Sequence, residues 1–160
     1  MQEFFLENKV IIVFLHVISG VIWVGGMIAM RYASHQSFLK IESPHKRLEH
    51  IAYALKRLFY IVFPFVITLM VTAIFMVKGY RLSESDFSVY AYFKEVIWSV
   101  MFLNLMIMIY LRSKGEMLLN KGDMVGAKNQ LELIGKIMVP LNIGLGLTAI
   151  FFGTYLSSNL

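Results

Sequence analysis

His16 is the first residue in this 160-residue chain that stands where chemistry is expected. It lies within Val10 to Met30, 21 residues without a charged side chain. On a helix it sits roughly 9 Å inside that run at about 1.5 Å per residue. Its helical face continues through Ser19, Gly20, Trp23, Met27 and Met30 or Arg31. Gly20, Gly25 and Gly26 would let a neighbouring helix or a flat ring approach the backbone. An imidazole with a glycine one turn away suits a planar porphyrin: it offers a nitrogen ligand and no Cβ to clash. The plainer role is a hydrogen bond across a helix bundle, with glycines that only tighten packing.

Lys94 is the second such residue. It falls near one end of an apolar run, as His16 does. Two polar groups at similar depth on two helices can face one site. An amine held in a dry place can lose its proton and become a ligand or a base. Its alternative is to snorkel, paired with Glu95 or a lipid phosphate. Arg31 and His35 are one turn apart beyond the end of the first run. Lys56 and Arg57 open the second run at the same level. Together they form a basic cluster suited to porphyrin propionates or a quinone carbonyl, or simply to anchoring in the membrane. His16 and His35 cannot share one metal, because nineteen helical residues span about 28 Å.

The remaining polar residues are read more plainly. His45 and His50 fall in a polar segment, and His50 would approach His35 only if the second helix begins early. Asn104 and Asn142 are amides suited to joining helices. Pro64 and Pro140 mark kinks or helix starts. Thioethers suit Cu(I), and the chain has 11 methionines. They scatter through every apolar run, as gap-filling core residues do.

The elements that must position these groups follow from composition. Hydrophobic residues make up 58% and charged residues 16%, with mean hydropathy +0.68. A soluble domain is about 25% charged, and a small globule has too much surface to hide so much apolar side chain. A soluble enzyme, a disordered tail and a zinc finger are excluded. The absence of cysteine excludes disulfides, thiolate metal sites, iron–sulfur clusters and covalently attached haem. The chain belongs in a lipid bilayer.

Four spans are expected, at about 10–30, 58–77, 87–111 and 137–160, each near the ~20 residues that cross hydrocarbon as a helix. The third is the least regular. Val96 to Leu111 is only 16 residues. Full length requires Phe87 to Phe93 as well, which places Lys94 and Glu95 inside the helix. The N-terminus lacks a basic region and a small-x-small site, so it does not read as a cleaved signal.

Eleven of the 15 Lys and Arg residues lie at 31–57 and 112–136. The positive-inside rule puts both segments in the cytoplasm and both termini outside. The net charge of +5 is therefore a topology signal, and nucleic acid is not an expected partner. Short connections predict one all-α membrane domain, an antiparallel four-helix bundle with N-out/C-out orientation. The expected location is the cell inner membrane, as a multi-pass protein.

The segment Leu15-His16-Val17-Ile18-Ser19-Gly20-Val21-Ile22-Trp23-Val24-Gly25-Gly26 resembles the first-helix signature of the CopD and HemJ superfamily of small membrane proteins. In that signature a His, a small residue, a Trp and Gly are followed by an Arg and a second His, here Arg31 and His35. Arg57-Leu58-Phe59-Tyr60 with Pro64 resembles the HemJ second helix. Lys94 corresponds to the third-helix Lys, and Asn142 to an Asn near the start of the fourth. The resemblance spans all four helices in order, through short, loose motifs. Met30 and Tyr92 depart from it, standing where HemJ proteins have Pro and His.

The resemblance implies a non-covalent haem b with His16 and Lys94 as axial ligands, and Gly20, Trp23, Arg31, His35 and Arg57 around it. It also implies a role in electron transfer or oxidation, such as conversion of protoporphyrinogen IX to protoporphyrin IX. The alternatives are a CopD-like copper-handling protein, and a membrane anchor or assembly subunit without catalysis. A porphyrin or quinone, and a homodimer or larger membrane complex, are the partners in view.

Overall fold

A computed structural model of the protein describes residues 2–82 and 88–158. Phe87, the expected start of the third span, and Asn159 and Leu160, at the end of the fourth, lie outside the described residues.

The described chain is all-α. Four long helices, each apolar enough to cross a membrane, run Gln2–Phe38 (α1), Pro44–Gly79 (α2), Ser88–Asn120 (α3) and Met124–Ser158 (α4). Each packs on its sequence neighbours, and α1 also packs on α4, which closes an antiparallel ring. The expected multi-pass four-helix bundle is therefore present. Both basic connections lie at one end, here called the inner end, and both termini lie at the other.

The helices extend well past their apolar runs. At 36 residues, α2 is about 54 Å long, against ~30 Å of hydrocarbon. Its first fourteen residues precede Leu58 and project roughly 20 Å beyond the inner boundary. The buried residues Leu48, Ala52, Leu55, Leu119, Ala127 and Leu131 continue the core into that projection. Hydropathy locates only the lipid-facing stretch, and so underestimates helix length.

Local signals set the helix ends. Ser43 caps α2, accepting from Lys46 N at 3.4 Å, with Pro44 just inside. Asp123 caps α4, accepting from Gly126 N at 2.8 Å. Gly122, at φ +82°, supplies the left-handed residue that ends α3. At the outer end a Cβ on Gly79 would collide with the buried Phe5 ring. The missing side chain lets α1 close on α2 there, and Phe5 packs edge-on against Tyr80 with ring centroids 4.9 Å apart.

Two π-helical turns interrupt the α pattern, Met30–Ser34 in α1 and Ile134–Met138 in α4. The second precedes Pro140, which cannot donate to the Lys136 carbonyl and whose ring presses upon it. Pro140 thus marks an irregularity inside a continuous helix rather than a helix start, and Pro64 likewise lies within an unbroken α2.

Asn104 and Asn142 join α3 to α4 as expected. Asn104 Nδ2 donates to Asn142 Oδ1 at 2.7 Å and to the Met138 carbonyl at 2.9 Å, with both residues buried. Arg112 is a surprise. Its sequence position marks it as a topology cation, yet it is 7% exposed. Its Nε donates to the Ala52 carbonyl at 3.0 Å, and its Nη2 lies 2.7 Å from Glu116 Oε2. It ties α3 to α2 where the bundle leaves the membrane.

Candidate functional site

In the outer half of the bundle, all four helices contribute to one polar node. His16 comes from α1. Its Nδ1 lies 3.0 Å from Thr72 Oγ1 on α2. Lys94 comes from α3, close enough for its charge to act on the His16 ring. A Cβ on Gly153 of α4 would stand 3.2 Å from Lys94 Nζ, so the bare glycine backbone admits the amine. His16 and Lys94, expected at one depth, thus contribute to the same node.

Two features make this node chemically open. His16 Nδ1 is hydrogen-bonded to Thr72 Oγ1, the Leu69 carbonyl is a second partner of the ring, and no side chain among the described residues bonds Nε2. The hydrogen bond across the bundle, the plainer expectation for His16, is present and leaves the second nitrogen available. Lys94 makes no hydrogen bond or ion pair among the described residues, and none with Glu95, although it is half-buried. A polar group withdrawn from water without a partner is costly. Two such nitrogens, in one polar node, are therefore candidates as ligands.

The surroundings extend the pattern. Gly20 lies one turn inward from His16, where a Cβ would meet only Leu69 Cδ1, at 3.9 Å. Trp23 is 1% exposed, and its indole Nε1 is buried without a hydrogen-bond partner. Trp98, one turn inward from Lys94, also has an unpartnered buried Nε1, and its ring stacks on Phe102 with centroids 5.1 Å apart. Most buried side-chain polar atoms are paired, so two orphaned indole N–H groups, one a turn and one about two turns inward of the node, are unusual.

The inner cluster is a separate place. Arg31 lies about 22 Å along α1 from His16. It is half-buried, as is His35, while Arg57 is exposed. His35 faces Arg31 and, on α4, Glu132 and Lys136. Its Nδ1 is buried without a hydrogen-bond partner. The structure therefore groups Arg31 and His35 with residues of α4 and leaves Arg57 apart. Porphyrin propionates do not reach 22 Å from their iron, so Arg31 and His35 are not neighbours of a ring ligated at His16.

His45 and His50 line a cleft of about 300 Å³ beyond the inner boundary, together with Glu49, Tyr53, Glu116 and Asn120. His50 Nδ1 is 2.7 Å from the Lys46 carbonyl, and the cleft lies between α2 and α3 rather than beside His35. Among the described residues, no three of the His, Asp and Glu side chains form a metal ligand set.

Thr72 and Gly153 are the site residues that sequence reading passes over. A threonine in an apolar helix ordinarily bonds its own backbone, and a glycine there ordinarily marks packing. Neither draws notice until the helices are placed. Comparisons with protein-family models, with curated proteins and with solved structures each return no match.

Proposed function

We propose that this protein is a b-type haem protein of the cell inner membrane, with an electron-transfer or oxidoreductase role. The observation that carries the reading is the polar node that holds both His16 and Lys94, near enough for the lysine's charge to act on the imidazole. The donor set fits the group. Haem iron needs only axial ligands from the protein, because the porphyrin supplies the other nitrogens. A zinc ion takes three or four protein donors, and the node provides two. The buried methionines Met27, Met101 and Met108 pack in the hydrophobic core, which weakens the copper alternative.

A bound haem would supply one-electron redox exchange at a potential set by its axial ligands and its burial. The residues of this chain do the rest. His16 and Lys94 would hold the iron, and Gly20 and Gly153 leave the helix backbones bare beside them. Trp23 and Trp98 offer indole N–H groups to an acceptor, and the packed core beneath excludes water. With Arg31 too distant, the nearest cations for propionates are those of the outer end, where Lys9 lies 5.0 Å over the Tyr80 ring. The resemblance to HemJ proteins supplies the substrate class, a porphyrinogen, and a quinone is a suitable acceptor.

An absorption spectrum of the full-length protein purified from haem-replete cells tests this, recorded oxidised and reduced. A Soret band that sharpens on reduction, lost in His16→Ala, is the expected result. A colourless preparation would sink the proposal. Stoichiometric copper without haem would favour the CopD-like alternative.

A further inference from the structure

The orientation of the His16 ring follows from a hydroxyl on the opposite helix. Thr72 is 4% exposed. Its Oγ1 lies 2.7 Å from the Thr68 carbonyl and 3.0 Å from the Leu69 carbonyl, both acceptors only. A threonine hydroxyl has one proton to donate. If that proton were given to His16, two carbonyl oxygens would face hydroxyl lone pairs at hydrogen-bond distance with nothing between. The proton therefore goes to the backbone of α2. Oγ1 then meets His16 Nδ1 at 3.0 Å with a lone pair, which assigns Nδ1 as the donor, beside the Leu69 carbonyl that also partners the ring. A neutral imidazole with its proton on Nδ1 has its free lone pair on Nε2.

We propose that Thr72 is a positioning residue. By accepting from His16 Nδ1–H it fixes the ring tautomer and orientation, so that Nε2 is presented as the ligand nitrogen. This rests on the haem reading only for what Nε2 binds; the tautomer is a property of the cofactor-free protein. Metal-ligating histidines commonly give their second N–H to an oxygen in this way, which raises ligand basicity. The same helix supplies a control. Thr68 Oγ1 donates to the Pro64 carbonyl at 3.0 Å and has no partner on α1 among the described residues.

Nitrogen-15 NMR of the histidine-labelled, cofactor-free protein in lipid nanodiscs reads the tautomer directly, with His16→Gln assigning the signals. The wild type is expected to show a protonated Nδ1 and an unprotonated Nε2. Thr72→Val should shift the ring toward the Nε2–H form, Thr72→Ser should restore it, and Thr68→Val should leave it unchanged. On loading with haem, Thr72→Val should bind roughly 10–100-fold more weakly, with a raised midpoint potential, and Thr72→Ser should recover both.

An Nε2–H ring in the wild type overturns the proposal, and that measurement needs no variant to fold. So does a Thr72→Val protein whose tautomer and haem affinity are unchanged. If the tautomer follows Thr72 but haem never binds, positioning stands and the haem reading falls. If haem binds with no sensitivity to Thr72, the reverse holds.

Discussion

Two sets of polar groups in this bundle are treated in opposite ways. Toward the inner side, Asn104 and Asn142 bond to each other and to backbone, and Arg112 is held by the Ala52 carbonyl and Glu116. Lys94 is half-buried without a partner among the described residues, and the Trp23 and Trp98 indoles and, at the inner end, His35 Nδ1 are buried without a hydrogen-bond partner. Satisfied polar groups join helices, and their cost of burial is met within the fold. Unsatisfied ones keep their bonding capacity for something else. Both sets include groups withdrawn from water, so burial alone does not tell structure from function.

Substitutions can break this contrast. The largest effect is expected at His16: alanine should abolish haem absorbance while lowering unfolding stability in detergent by only about 1 kcal/mol, the size of one hydrogen bond. Loss of fold together with colour would remove the distinction between the two sets. Glu116→Ala should do the converse. It strips the partner from buried Arg112 and should cost about 3 kcal/mol in denaturant unfolding, near the lower limit for breaking a buried pair because Glu116 is partly exposed. The spectrum should not change.

Asn104→Leu should destabilise by about 1–2 kcal/mol and leave the spectrum intact. A spectral change there would extend the site into the inner half. The smallest stability effect is expected at Gly153. A methyl group would need the end of Lys94 to move by only a few tenths of an ångström, so Gly153→Ala should stay within about 0.5 kcal/mol of wild type. It should still shift the absorption bands, because it displaces a ligand. An unchanged spectrum would argue against Lys94 on the iron.

Much of this arrangement is legible from residues alone. The apolar runs, the asymmetric cations and the short connections predict four antiparallel spans, and residue counting puts His16 and Lys94 at one depth. Asn104 and Asn142 read correctly as links between helices. Arg112 does not, because charge at a span boundary looks the same whether it faces solvent or reaches back to another helix. The basic cluster expected from Arg31, His35, Lys56 and Arg57 is also rearranged. Rotation about each helix axis turns Arg57 outward and sets His35 against α4, and no periodicity in these nearly uniform apolar segments specifies that rotation.

The sequence by itself determined the solvent this chain requires, the number and direction of its helices, and the few nitrogens able to act as ligands. These follow from the cost of placing charge in hydrocarbon, which depends on position along the chain. Tertiary structure alone decided which of those groups meet. Thr72 stands behind His16, and Gly153 gives way to Lys94, because packing fixes helix rotation to within a side chain. Whether a buried hydrogen bond is made or left open depends on that rotation.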